Sequence, residues 1–372
     1  MRIAIEAQRI FRKNKHGMDF VALESIRELQ QIDKINEYFI LVSPGEDKCL
    51  DETSNFHIVE IRVPSYPLWE QIGLPQTLKK IKPDLLHCTS NTAPLFCHVP
   101  LILTLHDVIF MEKRHGTSTS LYQRMGWHYR RWNVPRVLKK CKRIITVSHF
   151  EAKRICQTMN LAENSVTPVY NGFSEHFHPL DNYGETIAKY CPDNDYFFFL
   201  GNTDPKKNTL RTLKAYAHYL TQSSNPCPFL IADLSEKDID SYLKEGGIEY
   251  IKPYLRFPGY IANTDLPAIY NGARAFIYTS LRESFGIPLL EAMSCGTPVI
   301  TSNTSAIPEI AGDGAILVDP TDEIAIAHEM IRLEEDEGLR QQQIERGKER
   351  AKLFSWKQTA ERLLQIYQSI SE

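Results

Sequence analysis

Short runs of β-branched and aromatic residues recur along the chain, separated by helix-length stretches whose apolar residues stand three and four apart. The runs fall at Arg2 to Ala7, Tyr38 to Val42, His57 to Val63, Leu85 to Thr89, Leu101 to Leu105 and Arg143 to Ser148. Such alternation predicts a parallel sheet wrapped by helices. A second series at Tyr196 to Leu200, Phe229 to Ala232, Ala275 to Thr279, Pro298 to Ser302 and Ala315 to Val318 predicts a second α/β domain. Between the two, Asn171-Gly172 closes a strand signal, and Pro179, Asn182, Gly184 and Pro192 give the following segment a loop-forming composition. The expected division is therefore an N-terminal domain over 1–175, a hinge over 176–195 and a C-terminal domain over 196–354. A terminal helix should follow over 355–372, where Trp356, Ala360, Leu363, Leu364 and Tyr367 form one apolar face that must dock, the N-terminal domain being its candidate partner. Parallel sheets bind ligands beyond the carboxyl ends of their strands, so two such domains facing each other would hold a ligand in the cleft between them.

Length and composition agree with this division. At about 150 residues per domain, 372 residues suggest two to three. With 42% hydrophobic and 24% charged residues, the chain is neither a disordered tail nor a fibrous repeat. The longest apolar stretch, Val99 to Phe110, is broken by Pro100, His106 and Asp107, too short for a membrane span. Met1 to Ala7 reads as a buried strand rather than a signal peptide, and eight cysteines without a Cys-x-x-Cys pair suggest free thiols. Both point to the cytoplasm. The net charge of −3 is uneven: residues 1–175 carry 24 Lys and Arg against 18 Asp and Glu, residues 176–372 carry 19 against 28. The modestly basic first half would attract an anionic partner without saying which.

Three stretches carry candidate chemistry. The string Arg282 to Pro298 reads as strand end, turn and helix, with Gly286 allowing close approach to the backbone and Pro288 suited to a first helical turn. Free amides there would face an anion, while Glu283 and Glu291, two turns apart, would accept from hydroxyls. An ordinary amphipathic helix with a surface glutamate is the plainer alternative. In Leu200 to Asn208, Lys206 and Lys207 open a helix at a strand end and could neutralise a diphosphate, or be a solvated pair. In Thr104-Leu105-His106-Asp107, His106 could bond a sugar hydroxyl, or Asp107 could simply cap a turn.

Taken whole, Glu283-x7-Glu291 with Phe285-Gly286, then Gly296 to Ile300 and Pro308-Glu309, resembles family 4 of the retaining glycosyltransferases. The likeness covers nearly the whole chain and is densest from Leu200 to Pro320. It implies the GT-B fold, two Rossmann-like α/β domains facing across a cleft, with a nucleotide-sugar donor held mainly by the second and an acceptor by the first, and no cofactor or obligatory metal. It implies that Glu291 binds the ribose, that Glu283 binds hydroxyls of the donor sugar, and that Ser284, Phe285, Gly286 and Ile287 surround sugar and diphosphate. Gly201, Asn202, Lys206 and Lys207 would line the diphosphate, although Lys206 stands where similar enzymes often have arginine. Tyr260 and Ile261, from Phe257 to Ile261, would border the base. His106 would lie near the donor sugar with Asp107, on the acceptor side, as its support. His106 and Glu283 are thus the expected catalytic pair, with the donor phosphate rather than His106 taking the acceptor's proton. In the loop Lys13 to Asp19, Gly17 matches a glycine that admits the donor phosphate, whereas Asp19 replaces a second glycine, so that either the loop sits further from the diphosphate, as a solvated surface loop would, or Asp19 lies on the acceptor side and helps to orient the acceptor.

The block Thr104 to Asp107, with Arg131 to Pro135 and Ile144 to Ser148, looks most like the bacterial mannosyltransferases of surface-polysaccharide assembly. GDP-mannose is the first expected donor, UDP-glucose and dTDP-rhamnose the alternatives, and a glycan or lipid-linked glycan the acceptor. Tyr122 to Arg143 holds eight cations and no acid among Trp127, Tyr129 and Trp132, which suits peripheral contact with anionic lipid as well as a helix with inward aromatics; nucleic acid is not an expected partner. Asp193-x-Asp195 and Asp238-x-Asp240 imitate metal-binding pairs without convergent ligands. The rival readings are an epimerase or phosphorylase of the same fold, and a non-catalytic sugar-nucleotide-binding subunit.

Overall fold

The computed structural model describes residues 1–112, 121–193 and 195–371, with side chains from 121 to 123 and at 371 outside that description. The chain divides into two compact units, one comprising Met1–Gly172 and the tail from Trp356, the other Phe173–Ser355.

The first unit is a seven-stranded parallel sheet. Its strands are β1 (Arg2–Glu6), β2 (Glu37–Val42), β3 (Phe56–Glu60), β4 (Leu85–Cys88), β5 (Leu101–Thr104), β6 (Arg143–Thr146) and β7 (Val166–Pro168), in the order β3-β2-β1-β4-β5-β6-β7. Side chains alternate across β1 and so build two cores. Ile3 and Ile5 pack with Leu23, Ile26 and Leu29 of the helix Gly17–Ile32, whereas Ala4 faces Trp69, Leu74 and Val134 on the other side. The helix Trp356–Ser371 lies on the first of these faces, putting Ala360, Leu363 and Ile366 into its core. It is pinned there by Thr359, which donates to Tyr170 O, and by Tyr367, whose hydroxyl pairs with His87 Nδ1 at 2.7 Å. His87 Nε2 in turn pairs with Thr104, and burial drives its pKa down to about 3, so the ring stays neutral.

The second unit is a six-stranded parallel sheet of β8 (Tyr196–Leu200), β9 (Phe229–Ala232), β10 (Leu255–Gly259), β11 (Ala273–Tyr278), β12 (Val299–Ser302) and β13 (Ile316–Val318), in the order β10-β9-β8-β11-β12-β13. Strand order reverses between β8 and β11, as it does between β1 and β4 in the first unit, and in open parallel sheets such a reversal is where ligands bind. β10 lies outside the strand runs expected from the sequence. Pro258 sits within it, tolerable because β10 is an edge strand, and the pairing with β9 shifts register between Arg256 and Gly259.

The described part of the segment 176–195, expected as a hinge, packs on the second unit. Its apolar residues Phe177, Ile187 and Cys191 are buried, Phe177 meets the Tyr270 ring edge-on, and Leu180 N donates to Asn271, so the segment belongs to the second unit. All eight cysteines are free. No helix among the described residues is long and apolar enough to cross a membrane.

Candidate active site

At the crossover of the second sheet, two loops are tied together by backbone. After β8 the chain turns through Asp204, whose carboxylate accepts from Lys206 N, and ends in the left-handed residue Asn208. Asn208 Nδ2 donates to Thr279 O and Pro320 O, and Leu281 N donates to Lys206 O at 2.7 Å, fastening this turn to the loop after β11. From the other side, Glu283 N donates to Ser305 Oγ and Glu283 O accepts from Ala306 N. So braced, Lys207 Nζ donates to Glu283 Oε1 at 2.6 Å, with only 24% and 14% of the two side chains exposed. The ammonium also lies 5.4 Å from the Tyr278 ring centroid. Lys206 instead turns outward to Asp204 at 3.5 Å.

The helix Ile287–Ser294 starts behind Gly286, which adopts φ +103°, a conformation closed to side chains without strain. Glu291 stands on its second turn, partly exposed at its rim. Desolvation pushes the carboxyl up to about 8, tempered by the Tyr270 hydroxyl. Tyr260 is 75% exposed beyond β10, while its neighbour Ile261 is buried. Among the described residues no three metal-ligating side chains cluster. Asp193 and Asp195 pair with Arg256 and Arg274, Asp240 pairs with Lys252, and the Asp238 carboxylate accepts from Ser235 N in a capping box, so each has a structural use.

At the crossover of the first sheet, the loops after β1 and β4 frame a pocket of about 540 Å³ lined by Arg9, Arg12, Arg130, Tyr66, Thr92 and Tyr129 among others. Beneath it lies Glu70, buried on the π-helical turn Trp69–Gly73, where it accepts from Thr92 Oγ1 and, at 2.6 Å, from Tyr129 OH. His106, after β5, is buried; its backbone N donates to Asn91 and its Nε2 bonds Thr89 O at 2.9 Å. Burial lowers its pKa, leaving a neutral imidazole.

Two family models match the chain, Glycosyltransferase Family 4 over residues 17–176 and Glycosyl transferases group 1 over 189–350. The chain belongs to glycosyltransferase family 4. O-antigen chain mannosyltransferase B of Escherichia coli is 29% identical over 72% of this chain and 69% of its own. O-antigen chain mannosyltransferase RfbU of Salmonella typhimurium is 27% identical over 81% of each. Among solved structures, Anabaena HepE in complex with UDP-glucose superposes with a TM-score of 0.73 at 17% identity, over 99% of this chain and 100% of that one, which establishes the GT-B fold.

Several residues expected to touch ligand in this glycosyltransferase have other work. A Cβ on Gly201 would lie 2.5 Å from Leu234 Cδ1 and 2.8 Å from Ala232 O, so strand packing requires that glycine. Phe285 points inward against Phe354, and Ile261 is core. Asn202 accepts from Asp204 N and shapes its own turn. Asp107 accepts from Ile109 N, so the His106 ring is held by Thr89 rather than by Asp107. Asp19, 2% exposed, caps the helix Gly17–Ile32 by accepting from His16 N at Oδ2 and lies in ion-pair range of Arg9 and Arg12, while its buried Oδ1 accepts no hydrogen bond. Gly17 borders open space: an added Cβ would meet nothing within 4 Å. Glu70, Tyr129, Arg9 and Asn208 were not among the expected residues. A lone glutamate in the apolar run around Trp69 was the available signal for the first of them.

Proposed function

We propose that this glycosyltransferase moves a hexose, with retention of anomeric configuration, from a nucleoside diphosphate sugar to a glycan or lipid-linked glycan of a surface polysaccharide. Mannose from GDP-mannose is the donor favoured, supported by the names of the two mannosyltransferase relatives. The observation that carries the reading is the braced Lys207–Glu283 pair at the crossover of the second sheet. A diphosphate arriving there takes over the ammonium, which neutralises the charge that grows as the glycosidic bond breaks. The carboxylate so released accepts from a hydroxyl of the sugar being transferred. Glu291 accepts from the ribose, the amides of Gly286 and Ile287 lie beside the phosphates, and Tyr260 offers its exposed ring to the base. His106, neutral and fixed by Thr89, has an imidazole suited to hydrogen bonding a sugar hydroxyl rather than to carrying charge.

The cytoplasmic side of a membrane is the place we assign to it. On the helix Leu121–Leu138, Trp132 is 43% exposed beneath Arg136; in the loop between β4 and β5, Phe96 is 75% exposed beneath Lys140, which follows that helix. Exposed aromatics topped by cations suit an anionic headgroup layer. The side chain of Tyr122 lies outside the described residues. Arg131 contributes differently, stacking on Trp127 and donating to Phe110 O and Met111 O.

A thermal-shift panel of nucleoside diphosphates and their hexose derivatives tests the donor reading, because a ligand that binds only the folded state raises its stability. GDP and GDP-mannose should stabilise the protein, and Glu291→Ala should abolish the shift. A panel in which no nucleoside diphosphate stabilises the wild type would refute it.

A further inference from the structure

The arginine-lined pocket at the crossover of the first sheet has no role in donor binding as assigned above. The described residues that line it include no acid. Arg9 Nε lies 2.9 Å from Asp19 Oδ1 but out of line, and both Nε and Nη2 are buried without an aligned acceptor. Arg130 Nε is likewise buried and donates to nothing in the structure. Buried guanidinium N–H groups left without acceptors are costly unless a ligand completes them. The charges also leave a vacancy of definite sign. Arg9 and Arg12 share Asp19, so with Arg130 the rim carries three cations against the one acid paired with them, the buried Glu70 behind it being bonded to Thr92 and Tyr129 and Glu6 to backbone. That excess matches the charge of about −1.5 to −2 on a phosphate monoester near neutral pH. Guanidinium forks fit phosphate oxygens in geometry as well as charge. Below the rim, Tyr66 and Tyr129 meet edge-on with ring centroids 6.2 Å apart, and Tyr66 OH bonds Thr92 Oγ1. Aromatic faces beside hydroxyls suit a sugar ring attached to that phosphate.

We propose that this pocket binds a phosphate or diphosphate ester carried by the acceptor, gripped by Arg9, Arg12 and Arg130, so that the enzyme prefers a phosphorylated acceptor to a neutral glycan. The proposal rests on the transferase reading above, since it makes this the acceptor's site.

The test begins with the Lys207→Ala/Glu291→Ala double variant, which disables the second unit's nucleotide site. It is titrated calorimetrically with inorganic pyrophosphate, with farnesyl diphosphate and farnesol, and with N-acetylglucosamine 1-phosphate. Pyrophosphate should still bind. Arg130→Ala, which breaks no ion pair among the described residues, should weaken it by roughly ten- to a hundredfold, with partial recovery in Arg130→Lys. Arg9→Gln should act in the same direction, but its loss of Asp19 makes Arg130→Ala the deciding variant. Tighter binding of farnesyl diphosphate than of the sugar phosphate, with farnesol inert, assigns a lipid diphosphate; the reverse order assigns a soluble sugar phosphate. Binding that vanishes in the double variant, or an affinity unchanged by Arg130→Ala, overturns the proposal. Transfer to neutral glycans with a KM indifferent to Arg130→Ala would also overturn it, leaving the transferase reading intact. Phosphate binding lost on Arg130→Ala in a protein that accepts no nucleotide-sugar donor would instead sink the transferase reading and keep the pocket as an anion site.

Discussion

Replacing Glu283 by glutamine should separate nucleotide binding from sugar transfer, and in opposite directions. In the free protein Lys207 is engaged by Glu283 at 2.6 Å, both side chains being mostly but not fully buried. Exposed ion pairs contribute about 0 to 1 kcal/mol and the breaking of buried ones costs about 3 to 5, so this partly screened pair is worth about 1 to 2 kcal/mol. An incoming diphosphate must displace the carboxylate before it gains the ammonium. Glutamine has nearly the same shape but no charge, so Glu283→Gln should tighten bare GDP binding roughly 5- to 30-fold, the equivalent of that range. Turnover should move the other way, falling about tenfold or more, because the transferred sugar loses a charged hydrogen-bond acceptor. Lys207→Ala serves as the reference, losing GDP affinity and turnover together. Calorimetric titration with GDP and steady-state transfer assays read both quantities. Should Glu283→Gln weaken GDP as Lys207→Ala does, Glu283 would be a nucleotide ligand and the displacement argument would be wrong.

Glu291, with its pKa raised to about 8, holds in the folded protein a proton that the unfolded chain releases near 4.5. Its contribution to stability is therefore full below about 4.5 and declines as pH rises through 8, so Glu291→Gln should gain thermal stability over the unliganded wild type at pH 9 and little at pH 5. A pH-independent difference would contradict the burial argument. Wild-type GDP affinity should rise between pH 6 and 8.5 as the carboxylate forms, whereas that of the glutamine variant should stay flat in the same titration. Gly201→Ala forces a methyl against Leu234 and Ala232 O, and should cost about 1 to 3 kcal/mol in denaturant unfolding; a neutral effect would return Gly201 to a ligand role. The wild type should sediment with anionic but not neutral liposomes at low salt, and Trp132→Ser with Arg136→Glu and Lys139→Glu should abolish this while soluble GDP binding persists.

Contiguous chemistry could be read along the chain, whereas chemistry assembled by topology could not. Central strands such as β1 and β8 declared themselves through unbroken apolar runs, while β10 hid behind Pro258 because only an edge strand tolerates the missing N–H. The strings that hold Lys207, Glu283 and Glu291, where we place the donor, were legible because each is a contiguous strand end, turn and helix. Even there residue type was ambiguous: Gly201 suits both phosphate approach and strand packing, and only the position of Leu234 distinguishes them. Asp19 looked like an acceptor ligand because its partners Arg9 and Arg12 lie on the preceding loop, whose fold back onto the helix start no spacing rule foretells. The pocket of the first unit draws on Arg9, Tyr66, Thr92 and Tyr129, residues spread over more than a hundred positions and joined only by the order of the strands.

The central claim, retaining transfer of a hexose from a nucleoside diphosphate, is tested most directly by proton NMR of the product formed from GDP-mannose and an acceptor glycan. An α-configured mannosyl linkage from the α-configured donor, absent with Glu291→Ala, is the predicted result. A β-linked product, or no transfer from GDP-mannose or from any other nucleoside diphosphate hexose, would contradict it.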